Sequence, residues 1–187
     1  MLKSYSAEAV ILKRSNVGES DKLVTIYTKS QGKLTLRAPG IRKINSKKAP
    51  HLELFSRVKL FAVKGKTFDI ITDAATIEAF SNLKSELSRV AYAYRMVEEI
   101  DRLCPDSQQN EEIYRLLADT LRKLDKCQTI DLNLILEVFS LKVLWELGYL
   151  PINKVLQGGM LIQFIENIIE RSLKSNTLLT KIHGIYV

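Results

Sequence analysis

The residues of this chain whose types and spacing could do chemistry are cations. Between Glu19 and Lys48 stand Lys22, Lys29, Lys33, Arg37, Arg42, Lys43, Lys47 and Lys48, opposed by two acids, Glu19 and Asp21. Lys13 and Arg14 precede the run; Arg57, Lys59, Lys64 and Lys66 extend it with Glu53 alone in opposition. A one-signed field over so short a span steers polyanions and gains from the counterions they release, so the chemistry expected is phosphate binding rather than bond breaking. Lys13, Arg14, Lys29, Lys33, Arg37, Arg42, Lys43, Lys47, Lys48, Arg57 and Lys59 are the expected contacts. Tyr27 would share a strand face with Thr25 and Lys29, and Phe61 one with Arg57 and Lys59. That is how base-stacking rings interleave with phosphate ligands. The competing reading of both rings is packing against a neighbouring domain.

Catalytic constellations are weaker. His51 and His183 sit in no metal-ligand spacing, and the sequence lacks the G-x-x-x-x-G-K-[ST] loop that cradles nucleotide phosphates. Glu19-x-Asp21 falls at a turn, where acids more often bond backbone than transfer protons. Cys104 and Cys127 form no C-x-x-C and have no histidine nearby. No enzyme activity, cofactor or metal is expected.

The elements that must present the cations follow from periodicity. Lys33-Leu34-Thr35-Leu36-Arg37-Ala38 alternates, putting Leu34, Leu36 and Ala38 on one strand face and Lys33, Thr35 and Arg37 on the other. Similar short strands are expected at Ala7–Lys13, Lys22–Thr28, Phe55–Lys64 and Phe68–Thr72 or a little beyond, separated by turn signals such as Pro39-Gly40 and Gly65-Lys66. Residues 41–49, with four cations, read as a mobile basic arm. Five strands in 80 residues fit a small barrel of the OB type, and an SH3-like barrel gives much the same pattern.

From Asn82 the period becomes helical. Leu83, Leu87, Val90, Tyr94 and Val97 line one helix that stops near Cys104-Pro105. Asn110 is a candidate cap for a second, with Glu111 and Glu112 in its first turn. A third runs Leu132–Leu147, apolar over most of its circumference as befits the centre of a bundle, and a fourth about Met160–Leu173. The class expected is α+β, with a basic five-stranded OB-fold barrel at residues 1–80 and an all-helical domain at 81–187. Charge divides the same way: of a formal net charge of +7, residues 1–80 hold 15 Lys+Arg against 7 Asp+Glu and the remainder is nearly neutral. The N-terminus lacks a signal-peptide core and no apolar run reaches membrane-spanning length, so a cytoplasmic protein is expected.

At Glu19-x-Asp21-Lys-Leu-Val-Thr-x-Tyr-Thr, then Gly32-Lys33-Leu, then Gly40 followed by Arg42-Lys43, the chain resembles the N-terminal domain of the RecO family of bacterial recombination mediators. The resemblance continues through Ala79-Phe80, Asp101-Arg102-Leu103, Phe139 to Leu147-Gly148-Tyr149-Leu150-Pro151, and Ser172-Leu173-Lys174-Ser175. Many members follow the Leu-Gly-Tyr-x-Pro turn with a four-cysteine zinc module; here residues 152–159 carry no cysteine, so the chain resembles a shortened member. The resemblance implies an OB-fold that binds single- and double-stranded DNA in a nucleoid-associated setting. It further implies ATP-independent strand annealing, help in loading recombinase onto strands coated by single-strand-binding protein, and RecR and that protein as partners. Two other classes remain open on the residues alone: an RNA-binding or ribosome-associated OB module, and a docking adaptor without DNA affinity.

Overall fold

A computed structural model describes residues 3–126 and 131–183, the side chains of residues 182 and 183 excepted. Cys127 and the imidazole of His183 lie outside the described residues. Two compact units form, one from the residues up to Ala79 with Pro105–Tyr114, the other from Phe80–Cys104 and the residues from Arg115 onward.

The first unit is built on β1 (Ser4–Val17), β2 (Asp21–Thr28), β3 (Gly32–Ala38), β4 (Arg57–Val63) and β5 (Asp69–Glu78). The length of β1 closes the sheet. Its residues from Ser4 to Val10 pair with β4, and those from Ala9 to Val17 pair with β2. With β3 against β2 and, in parallel, β5, the strands close in the order β1-β2-β3-β5-β4, an OB-like ring that leaves no long edge exposed. Alternation fills it: Ala9, Ile11, Val24, Ile26, Leu36, Val58, Leu60 and Ile71 are fully buried in one core. A register shift between Ile11 and Lys13 reverses the parity of β1, so that Arg14 faces Val24 and Lys13 faces Thr25.

Residues 105–114, which the sequence reading assigned to the helical half, pack with the strands. Asp106 makes a parallel bridge with Lys33, and the Ser107 N–H donates to the Lys33 carbonyl at 2.9 Å. The approach is close enough to require glycine at the strand start: Gly32 has φ +67°, and a Cβ there would lie 1.9 Å from the Gln108 carbonyl oxygen. Gly32→Ala is therefore expected to destabilise the protein by about 1–3 kcal/mol, checked by urea unfolding, since both the backbone conformation and the carbonyl would have to give.

The second unit holds α1 (Ser81–Ser85), α2 (Leu87–Leu103), most of α3 (Glu111–Lys126), α4 (Leu132–Glu146), α5 (Gly158–Ile169) and α6 (Lys174–His183). The expected first helix is broken at Glu86, whose backbone is extended and whose carboxylate accepts from Ser88 Oγ and Arg89 Nε at the start of α2. Asn110 caps α3 as expected, accepting the Ile113 N–H at 3.0 Å, and Asp131 caps α4. The chain turns at Glu170 (φ 53°) and forms α6, whose first amides, those of Lys174 and Ser175, donate to the Glu98 carboxylate. The enclosed helix is α2 rather than α4: α2 packs on α4, α5 and α6, whereas α4 leaves Leu134 and Val138 exposed.

Candidate nucleic-acid interface

The outer face of β1-β2-β3 follows from register. One cross-strand row is Lys13, Thr25 and Thr35, with the two threonine hydroxyls 3.2 Å apart. The next is Ser15, Leu23 and Arg37, followed by the turn of β1 into β2. In the opposite direction comes the row of Val10, Tyr27 and Lys33. The first two rows are open to solvent. The third is covered by residues 105–114.

Beside the open end lies the loop after β3. It is tied down rather than a free arm. Ile41 is buried, the Arg42 N–H donates to Ser20 O, and Lys43 and Ser46 close successive turns before the single 3-10 turn Ala49–Leu52. Asp21 anchors its start, accepting from Gly40 N–H at 2.8 Å and from Arg37. The Gly40 N–H, then the Arg37 guanidinium, hold this carboxyl below its ordinary range. The stabilisation is thus present above the usual carboxylate pKa and lost as pH falls through the depressed value, so the loop's anchor is intact at neutral pH. Arg42, Lys43 and Lys47 project from this loop into solvent; Arg42 donates to the Gly18 carbonyl, and none of the three has an acidic partner among the described residues.

The eleven expected contacts divide on this geometry. Five are ion-paired: Arg14 with Glu53 (2.8 Å), Lys29 with Glu111 (3.6 Å), Lys33 with Asp106 (3.2 Å), Arg37 with Asp21 (2.6 Å) and Arg57 with both Glu8 and Glu78. Arg57 also donates to the Tyr114 hydroxyl, which makes it a strut of the barrel unit. Lys48 sends its ammonium to the Ile71 carbonyl at 3.0 Å. Lys59 is exposed on β4, across from Glu8 on β1 and away from the β2-β3 face. Arg42, Lys43 and Lys47 remain at the open end, with Arg37 and the exposed Lys13 on the neighbouring strands. A phosphate there meets lysine and arginine heads, threonine hydroxyls and the half-buried Leu23.

Tyr27 cannot stack a base in this arrangement. It is 1% exposed, and its hydroxyl reaches the Asn110 carbonyl at 3.5 Å, so the ring packs under the 105–114 segment. Phe61 is 45% exposed on the outer face of β4, between Ser6 and Asp73. The residues that sequence reasoning missed are Asp106 and Glu111. A signal existed: acids flank a polar run, PDSQQNEE, directly after a proline, which is the complement of a basic sheet.

Among the described residues no group of three or more His, Cys, Asp or Glu could hold a metal ion, and His51 shares a 3.0 Å hydrogen bond with Thr76. No described helix is long and apolar enough to cross a membrane.

A closed OB-like ring with one cationic open end, continued by a helical unit, defines an α+β protein of the two-part OB class. The comparisons particularise it. The family profile Recombination protein O N terminal matches residues 1–80, and Recombination protein O C terminal matches residues 84–153. The DNA repair protein RecO of Roseiflexus sp. (strain RS-1) is 37% identical over 147 residues, 79% of this chain and 51% of that protein. The DNA repair protein RecO of Pelotomaculum thermopropionicum is 32% identical over 151 residues, 81% of this chain and 58% of its own. The chain belongs to the RecO family. It spans between half and three fifths of the length of these relatives.

Proposed function

We propose that this chain binds DNA, single strands foremost, in DNA repair and recombination; DNA repair is printed in its relatives' names and recombination in the family's description. In this reading it anneals complementary strands and helps place recombinase on strands coated by single-strand-binding protein. RecR and the single-strand-binding protein are its partners, and it does no covalent chemistry. Residues 1–80, with residues 105–114 packed on them, are the DNA-binding domain, the rest of residues 81–187 is the helical body, and the setting is the bacterial cytoplasm at the nucleoid. The single observation that carries the reading is the open end of the β2-β3 face flanked by Arg42, Lys43 and Lys47, whose charges no described acid neutralises.

The test is the triple variant Arg42→Ala/Lys43→Ala/Lys47→Ala, with Lys48 kept because it holds Ile71. Fluorescence anisotropy on a labelled single-stranded oligonucleotide should show affinity falling at least about tenfold and annealing slowing with it, as expected on losing about three phosphate contacts. The melting temperature should hardly move, since exposed side chains contribute little to folding. Undiminished affinity would overturn the placement of the site. A wild-type protein that shifts no oligonucleotide would favour the docking adaptor, and one that prefers RNA of the same sequence the RNA-binding module.

A further inference from the structure

The loop after β3 carries one side chain that neither packing nor charge accounts for. Ile44 is 109% exposed, whereas no other large apolar residue described on the barrel unit passes 45%. Scattered apolar residues on a surface are ordinary, but the place of this one is fixed. The Ser46 N–H donates to Lys43 O at 3.0 Å, which makes Ile44 and Asn45 the central pair of a closed turn. Asn is a common choice at such a position and Ile is not. The tip is anchored on both sides, before it by buried Ile41 and the Arg42 amide on Ser20 O, after it by the Lys48 ammonium on Ile71 O and by fully buried Leu52. Folding removes none of this side chain from water, so its contribution to the barrel's stability is small.

The flanking residues say what the tip would meet. Arg42, Lys43 and Lys47 stand on either side of Ile44 in the chain, all exposed and without an acidic partner among the described residues. Cations so placed bring phosphates up to the turn, and what hangs between successive phosphates of a strand is a base. We infer that Ile44 is a wedge that enters between two adjacent bases of a strand whose phosphates Arg42, Lys43 and Lys47 hold. Apolar side chains, isoleucine among them, part stacked bases in this way, and burial of the side chain offsets the lost stacking. An anchored turn and a χ1-stiff β-branched side chain have little freedom left to lose on insertion. The inference rests on the nucleic-acid reading above and adds to it the group that touches the bases: the charges hold a strand of any sequence, and the wedge leaves its bases parted and open to pairing. A cationic turn with an apolar tip also suits an anionic membrane surface, but one side chain offers a bilayer little area, and this turn is bonded through Ser20 and Gly18 to the end of the sheet face that carries Thr25, Thr35 and Arg37.

The experiment uses the full chain and a short oligoadenylate carrying one 2-aminopurine, a base analogue that brightens when its neighbours unstack, with affinity measured across a salt series. Saturating wild type should raise the fluorescence. Ile44→Ser should bind about five- to tenfold more weakly at every salt concentration and leave the analogue dim even at saturation. Its log-log salt slope should equal that of the wild type, because no charge has been removed. Ile44→Leu should restore both affinity and fluorescence, and Ile152→Ser, which removes an exposed apolar side chain from the helical unit, should change neither. Melting temperatures should be alike throughout, since exposed side chains contribute little to folding. The wedge is overturned if Ile44→Ser keeps wild-type affinity, if the fluorescence rise survives in that variant, or if its salt slope changes, which would mean that the turn's cations had moved. Preference of the wild type for phosphatidylglycerol vesicles over the oligonucleotide, lost in Ile44→Ser, would make the tip a membrane contact and overturn it as well. A wild type that binds no strand brings down the nucleic-acid reading and the wedge with it, whereas a wild type that binds and an Ile44→Ser that binds equally well bring down the wedge alone.

Discussion

Raising monovalent salt fourfold is expected to weaken binding of a single strand about fifty-fold. The number follows from which cations are available rather than from how many the chain has. Five of the eleven expected contacts are engaged by acids and Lys48 by a carbonyl, so the open end presents Arg42, Lys43 and Lys47, with the exposed Lys13 on the same face, about four phosphates' worth of charge. Each phosphate neutralised on a single strand contributes roughly 0.7 to the slope of log affinity against log salt, which gives about −2.8. Had all eleven cations engaged phosphate, the slope would approach roughly −8 and the same salt step would remove binding altogether. Anisotropy titrations at four salt concentrations decide between the two. A flat response would mean that charge does not drive binding at all.

The largest expected effect on stability lies in the helical unit. Arg95 is 2% exposed and Glu99 fully buried; Arg95 Nε donates to Glu99 Oε1 at 2.5 Å, its Nη1 reaches the Asn176 side-chain oxygen, and Ser140 Oγ donates to the Glu99 carboxylate at 2.8 Å. One buried pair thereby joins α2 to α4 and α6. Glu99→Leu leaves a guanidinium that cannot lose its proton in an apolar interior, at a cost of about 3–5 kcal/mol. Arg95→Met should cost less, because the carboxyl left behind can take up a proton. Burial already pushes Glu99 upward, against the pull of Arg95. The sign follows: a carboxyl whose folded pKa lies above its unfolded one stabilises the fold below the unfolded pKa and loses that contribution as pH rises through the folded one. The Arg95→Met protein should therefore be more stable at pH 5 than at pH 8, and the double variant Arg95→Met/Glu99→Leu should recover most of the loss at both. Urea midpoints at the two pH values measure this. Equal losses in the two single variants, with no recovery in the double, would show that packing rather than charge sets the cost.

The strands were legible because a half-buried sheet imposes a period of two on its own sequence: Lys33 to Ala38 announces both faces of β3, and the Gly32 and Gly40 turns bound it. Helix ends carrying a local chemical signal were legible too, as Asn110 before Glu111-Glu112 demonstrates. The break at Glu86 was not, since Leu83 and Leu87 keep helical spacing across it while the carboxylate's bonds to Ser88 and Arg89 leave no mark on the apolar pattern. Helix α6 escaped for a related reason: its docking depends on Glu98, more than seventy residues away, accepting its first amides.

The sequence by itself determined a small basic five-stranded barrel, the sign of its field and the loop that carries the least compensated charge, because these are sums and periodicities over neighbouring residues; the OB-like strand order came from the structure. Which cations are available to a ligand was decided by tertiary structure. Lys33 and Asp106 are 73 residues apart and Arg57 and Tyr114 57 apart, and ion pairing falls steeply with distance, so no local count reveals them. Tyr27 makes the same point for burial: alternation correctly put it on the outer face of β2, but an outer face is exposed only where nothing folds back over it. The segment that does so comes from beyond α2, a connection that no periodicity within the strands encodes.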